Sequence, residues 1–224
     1  RTGVDLPSET GFMQYYKANQ LGEVQLASSA FGQAMAITPL QMCTAVAAAV
    51  NGGYLVTPHV VDKITDANGN VIEEIGANVR RQVISESTSN VIRQIMEYEV
   101  GAGTGGGKYA YVSGYRIGGK SGTSEQLNMD RRADGDYKKV ASFAAVLPAD
   151  DPEIIVYVML DDPNNARTDY SSLLAAPVVG NIISEIAPYL GIAADGEDRS
   201  QTVVTVPNLV GTEWSSAQVQ LNIK

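Results

Sequence analysis

Two apolar runs set close together leave this chain little choice of fold. Residues 140–147 (VASFAAVL) and 154–160 (IIVYVML) are each strand-length, and only PADDPE separates them. Both are apolar, and so short a connection joins antiparallel neighbours. A sheet this apolar needs helices on its faces, and the chain offers three. Thr38-Pro39-Leu40-Gln41 is a helix start: Thr38 caps, Pro39 suits the first helical position, and Gln41 completes a capping box. The Ala-rich, nearly uncharged run to Val50 stops at Asn51-Gly52-Gly53, and its composition predicts burial. A second helix spans about Ser85 to Val100, with Val91, Ile92, Ile95 and Met96 on one face and Gly101 as its stop. A third spans 171–190, where Leu174, Val178, Ile182 and Ile186 recur at spacing four. Pro177 inside it predicts a kink or a start near Ala176.

The other elements are smaller. VVDKIT and VIEEI flank Asp66–Asn70, with Asn68-Gly69 as a tight turn, so 60–75 reads as a hairpin. Residues 109–112 and 115–124 read as extended, 124–139 as a polar surface loop that could gate access, and 1–32 as mostly loop. The expected class is α/β: an antiparallel sheet flanked by helices.

Several chemistries are excluded by counts. The chain has one histidine, His59, and one cysteine, Cys43. A Cys/His zinc site and an intrachain disulfide both need more. A Ser-His hydrolase would have only His59. The balance of 16 basic to 25 acidic residues gives −9, a field that repels phosphate backbones, so nucleic acid is not an expected partner. Apolar runs such as CTAVAAAV (43–50) fall short of the 18–20 residues or so that span a bilayer. No signal peptide is visible and the first residue is Arg1, which suggests a piece of something longer.

Most local motifs have plain readings. GAGTGG at 101–106 fits G-x-G-x-x-G, but a helix precedes it and strands follow, the reverse of a dinucleotide turn. Gly107-Lys108 is followed by Tyr109, not the hydroxyl of a P-loop. Cys43 reads as an inert core thiol, His59 as a structural residue at a strand start, and Asp161-Asp162 as a turn. No cofactor and no metal are expected. The informative stretch is GGKSGTSEQ, 118–126. Lys120 sits among glycines and hydroxyls, and Gly122 permits close approach. Ser121 and Thr123 are two apart and share a side of the strand. Two hydroxyls with an ammonium nearby suit a carboxylate, and strand N–H groups can face a developing oxyanion.

Lys-Ser-Gly also matches K-[ST]-G, the third signature of serine penicillin-recognising enzymes. Further segments resemble class B penicillin-binding proteins, the peptidoglycan D,D-transpeptidases. TGVDLPSE (2–9) is similar to T-G-[IV]-D-L-P-G-E, and FGQAMAITPLQM (31–42) to G-Q-G-x-x-x-T-P-L-Q. NGGYLVTPHVV (51–61), GYRIGGKSGTSEQ (114–126) and APVVGNIISEIAPYLGI (176–192) follow in register. The tail VPNLVGTEWSSAQVQL resembles the opening of a PASTA domain.

The resemblance implies a penicillin-binding transpeptidase/serine β-lactamase-like fold. It divides the chain into a C-terminal transpeptidase portion (1–192), a linker (193–202) and the start of a PASTA module (203–224). Lys120 would support the proton network of the nucleophile. Ser121, Gly122 and Thr123 would form the substrate wall, with both hydroxyls on the terminal carboxylate of a D-Ala-D-Ala stem peptide or a β-lactam. The Thr123 N–H would supply half of an oxyanion hole, and the nucleophile's own N–H the other half. No Ser here has Lys three positions later, and no Asn has Ser two positions earlier. The S-x-x-K nucleophile and S-x-N motif are therefore expected outside this chain, which alone should be inactive. The parent is expected at the extracytoplasmic face of the bacterial membrane, anchored there, with divisome or spore-septum proteins as partners. The alternatives are a non-enzymatic muropeptide- or β-lactam-binding or scaffold fragment and, behind it, a serine β-lactamase.

Overall fold

The computed structural model describes residues 1–9, 13–14, 19, 22–33, 36–101, 105–126, 129–163 and 170–194. The expected PASTA segment and nearly all of the linker lie outside these residues. At the centre is a three-stranded antiparallel sheet in the order β7 (Gly118–Glu125), β8 (Lys139–Leu147), β9 (Ile154–Asp161). The hairpin read from PADDPE is present, with Leu147 opposite Ile154 and Val140 opposite Asp161.

Alternation along β8 divides the core. Phe143, Ala145 and Leu147 pack with Ala175, Ala176, Val179, Ile183 and Ala187 of helix α4 (Ser171–Tyr189). Val146 packs on the opposite side with Val50 of helix α2 (Pro39–Val50) and Met96 of helix α3 (Glu86–Gly101). Helix α4 is long and apolar enough to cross a membrane by length and composition. Its small-residue stripe is spent on the sheet, as in a core helix of a globular domain. It starts at Ser171, with Pro177 inside it, so a start near Ala176 is not what occurs. Its buried positions fall one residue later than the expected stripe: Val179 and Ile183 are buried, while Val178 is 40% exposed. Small Ala175, Ala176 and Gly180 let the backbones close up, and that packing outweighs the pull of the larger side chains.

The capping box at Thr38 forms as read. The Gln41 N–H donates to Thr38 Oγ1 at 3.2 Å, and the Thr38 N–H to Gln41 Oε1 at 2.8 Å. Helix α3 turns inward only half of its expected apolar face: Met96 is buried and Ile92 packs against the same cluster. Ser89 is fully buried, while Val91 and Ile95 are more than half exposed. The reason is polar. The Ser89 hydroxyl donates to the Ala49 carbonyl (2.8 Å) and accepts from the Gly52 N–H (3.0 Å), and Arg93 donates to the Val50 carbonyl (3.0 Å). Carbonyls left open at the end of α2 thus take their donors from α3.

Among the described residues, six shorter strands stand apart from the central sheet in three pairs. β4 (Lys63–Thr65) and β5 (Val71–Glu74) form the expected hairpin, its turn held by Asp66, which accepts from the Asn68 and Asn70 N–H groups at 2.8 Å each. The Asn70 side-chain amide, which donates to Asp66 Oδ2 at 2.8 Å, and then these backbone bonds hold the Asp66 carboxyl below its usual range. β3 (Tyr54–Thr57) pairs with β6 (Asn78–Gln82), which carries no apolar alternation and was not legible as a strand. Within 1–32, read as mostly loop, residues 23–30 form helix α1 (Glu23–Ala30), and β1 (Met13–Gln14) pairs with β2 (Ala36–Ile37). Val24 and Leu26 of α1 are exposed, so it has no core-facing stripe to betray it. Of residues 109–112, read as extended, Tyr109 and Ala110 are not, while Tyr111 is (φ −65°, ψ 134°). Gly106–Ala110 is a 3₁₀ turn, and fully buried Ala110 lies against Gly180 of α4, where a Cβ would meet its backbone at 3.4 Å.

Candidate active site

Strand β7 carries the whole Lys-Ser-Gly-Thr stretch, and its geometry begins with two glycines. Gly118 and Gly119 are buried. A Cβ on Gly119 would stand 2.5 Å from the Phe143 ring, and one on Gly118 3.1 Å from Met96 Cβ. Missing side chains therefore let β8 and α3 close on the first half of the strand. Its second half rises to the surface, with Lys120, Gly122 and Thr123 exposed.

Alternation then sorts the functional groups. Ser121 and Thr123 are on the Gly119 side, the α4 face of the sheet. Lys120 and Gly122 are on the other. The Lys120 ammonium donates to the Ser121 carbonyl at 2.8 Å. The Thr123 hydroxyl donates to Ser171 Oγ at 3.1 Å and accepts from the Ser171 N–H at 3.2 Å. Helix α4 has no capping side chain of its own at Tyr170. A hydroxyl from β7 fills that place.

Among the described residues β7 pairs only with β8, so its other edge is open. The Thr123 carbonyl accepts the Gln33 side-chain amide at 3.3 Å and so points to that open edge. The N–H and C=O of one strand residue lie on the same side, so the Thr123 N–H faces the same way. Gly122, one residue earlier, turns its carbonyl toward β8, where Ser142 Oγ donates to it at 3.2 Å. A cleft of about 450 Å³ opens beside this edge. It is lined by Phe31, Gln33, Thr123, Glu125, Lys139 and Tyr170.

Of the residues singled out in the sequence, Thr123 lines the cleft, and Ser121 lies two positions back on the same face. Gln33, Tyr170 and Ser171 were not singled out. Gln33 lies in the FGQ stretch that resembles the family pattern, yet nothing in its surroundings in the chain marks it for Thr123, 90 residues away. The polar loop after β7 is tethered: Gln126 N–H donates to Lys138 O (2.8 Å), Arg132 pairs with Asp162 (2.7 Å), and Arg131 stacks 3.8 Å from the Tyr137 ring centroid. The plain readings can be placed too. Half-buried Cys43 has its thiol pKa pushed up by burial, the wrong direction for a nucleophile. His59 Nδ1 contacts the Val61 carbonyl at 2.8 Å, far along the chain from β7.

Comparison with known proteins gives the family and the fold that carry this strand. Residues 1–184 match the family model described as the penicillin binding protein transpeptidase domain. The chain is 36% identical to Stage V sporulation protein D of Bacillus subtilis over its whole length, which is 35% of that protein. It is 34% identical to the probable peptidoglycan D,D-transpeptidase FtsI of Caulobacter vibrioides, over 82% of this chain and 30% of that one. Among solved structures, penicillin binding protein 3 of Mycobacterium tuberculosis complexed with aztreonam superposes with a TM-score of 0.69 at 28% identity, covering 87% of this chain and 44% of that chain. The chain thus spans about a third of the length of these curated relatives. On the family match and these identities, the chain belongs to the penicillin-binding protein transpeptidase family.

Proposed function

We propose that this chain forms part of a peptidoglycan D,D-transpeptidase and supplies the Lys-Ser-Gly-Thr wall of its acyl-transfer site. The reading rests on the open edge of β7, which presents the Thr123 backbone beside the Ser121 and Thr123 hydroxyls. Ser121 and Thr123 receive the terminal carboxylate of a D-Ala-D-Ala stem peptide, or the carboxylate of a β-lactam, as charge-assisted acceptor. The Thr123 N–H contributes one donor to the oxyanion of the tetrahedral intermediate. Gly122 keeps the strand bare where substrate approaches. Lys120, on the other side of the strand, supplies positive charge to the proton network of a serine nucleophile.

That serine comes from another part of the protein, because no Ser here has Lys three positions on. Acyl transfer by Ser and Lys needs no histidine, in keeping with a chain that has one. The complete enzyme works at the extracytoplasmic face of the cell membrane, where its peptidoglycan substrate lies. The similarity to Stage V sporulation protein D favours a role in spore or septal wall synthesis.

The test is acylation of the complete protein by a fluorescent penicillin. Lys120→Ala should lower the acylation rate at least a hundredfold, within the usual range for a proton-transfer group. Thr123→Val should weaken binding of the free acid more than that of a carboxylate ester. Undiminished labelling of both variants would remove this function. Rapid turnover of a chromogenic cephalosporin would move it to the serine β-lactamases.

A further inference from the structure

The Thr123 hydroxyl has one proton and two lone pairs to distribute. In this structure Ser171 meets it twice, with a backbone N–H and with a side-chain oxygen. Ser171 is 2% exposed and is the first residue of α4. The two contacts do different things. The N–H donates into Thr123 Oγ1, fixes where that oxygen stands, and uses one lone pair. The Ser171 Oγ takes the Thr123 proton. Water reaches buried Ser171 poorly, so this acceptor holds the proton in an otherwise defined place.

We propose that Ser171 is a positioning residue for substrate carboxylate binding: its backbone N–H holds the Thr123 hydroxyl oxygen-first, leaving the Thr123 proton to be exchanged between Ser171 Oγ and an incoming carboxylate. This rests on the carboxylate role given to Thr123 above. When the anion arrives, the Thr123 O–H turns from Ser171 Oγ to the carboxylate, and the N–H bond keeps the oxygen in place as it turns. The Ser171 N–H then donates to the Thr123 hydroxyl and the hydroxyl to the carboxylate, which ends the chain as acceptor. Each bond in such a chain polarises the next and strengthens it. The Ser171 hydroxyl is free to donate in its turn and is no longer needed as acceptor. Positioning therefore resides in the Ser171 backbone, and the side chain only parks the proton in the empty site.

The helix start allows the two contacts to be removed separately. Tyr170 is extended (φ −76°, ψ 123°), the conformation required before proline, and proline is favoured at the first helical position. Ser171→Pro deletes the N–H and the hydroxyl, while Ser171→Ala deletes the hydroxyl alone. In the complete transpeptidase, acylation by benzylpenicillin and by its methyl ester should be followed to saturation. For Ser171→Pro the expected result is about a tenfold weaker apparent binding constant for the acid, a maximal rate within about threefold of wild type, and unchanged behaviour of the ester. Ser171→Ala should stay within about threefold on both ligands.

Wild-type binding of the acid by Ser171→Pro, or equal loss on acid and ester, would overturn the proposal. Thr123→Val distinguishes the two levels: if it keeps the preference for the acid, the carboxylate role of Thr123 fails. If it loses the preference and Ser171→Pro keeps it, only the positioning role fails. Should Ser171→Pro not fold, amide hydrogen exchange in this 224-residue chain decides. The Ser171 amide should exchange about tenfold faster in Thr123→Val than in wild type and recover in Thr123→Ser. Equal exchange in all three would overturn the proposal.

Discussion

Gly119 lies directly against the ring of Phe143: a Cβ added to it would stand 2.5 Å from one ring carbon and 2.7 Å from another. Phe143 is fully buried on β8, and Val100 of α3 closes the same space at 3.0 Å. The ring has no room to retreat, because it packs among the α4 residues beneath the sheet.

Gly119→Ala should therefore destabilise the chain by about 1–3 kcal/mol, the usual cost of overpacking. Urea denaturation followed by far-UV circular dichroism measures it. In the complete enzyme the same substitution should displace Lys120 and Ser121, the next residues of the strand. A midpoint equal to wild type would show that the ring moves aside freely.

How much of this was legible in the sequence depends on where each signal lies. The β8–β9 hairpin, the Thr38 capping box and the Asp66 turn are local, and their residues state their own geometry. The inward side of α4, and half of that of α3, were not legible, because distant partners set them. Ser89 is drawn in by the open end of α2, and the Ala175/Ala176/Gly180 stripe by close backbone packing. The site divides in the same way. Lys-Ser-Gly-Thr is contiguous and stood out, but Gln33 and Ser171 meet Thr123 only in three dimensions.

Ser89→Ala provides a test of that α2–α3 joint. It removes a donor to Ala49 O and an acceptor for Gly52 N–H in a fully buried place. Leaving such groups unpaired costs roughly 1–3 kcal/mol. The expected result is a loss of that size in urea denaturation, with faster amide exchange at Gly52. Ser89→Thr retains the hydroxyl but adds a methyl group, so it should recover only part of the loss.

The amino-terminal segment is pinned by carboxylates, which makes it sensitive to acid. Glu9 accepts from the Thr2 hydroxyl (2.7 Å), the Thr2 N–H (2.5 Å) and the Gly3 N–H (3.0 Å), and its pKa is lowered to about 2 from 4.5. Asp5 accepts from the Val60 and Val61 N–H groups, and these bonds lower its pKa as well. A pKa lower in the folded state means that the stabilisation is complete above the unfolded value. For Glu9 it declines as pH falls below about 4.5 and is gone below about 2. Carboxyl-carbon NMR titration should place the Glu9 midpoint well below 4.5, and the Thr2 and Gly3 amide resonances should move with it. Glu9→Gln should abolish that coupled shift. A Glu9 midpoint near 4.5 would contradict the pinning.

The last prediction concerns chemistry that this chain should lack. Covalent catalysis needs a nucleophile within hydrogen-bond reach of its base. Lys120 directs its ammonium to the Ser121 carbonyl, and the Thr123 hydroxyl is occupied by Ser171. Among the described residues the Thr123 hydroxyl is bonded to Ser171 and to no base, and no Ser in the sequence has Lys three residues on. The isolated chain of 224 residues should therefore form no stable adduct with a fluorescent penicillin, whether read on a denaturing gel or as an intact mass. Non-covalent binding of the acid, lost in Thr123→Val, is compatible with this, because one wall of the cleft is in place. A mass increase by one penicillin, mapped to any serine of the chain, would show that the nucleophile lies within it and would undo the division of the site argued above.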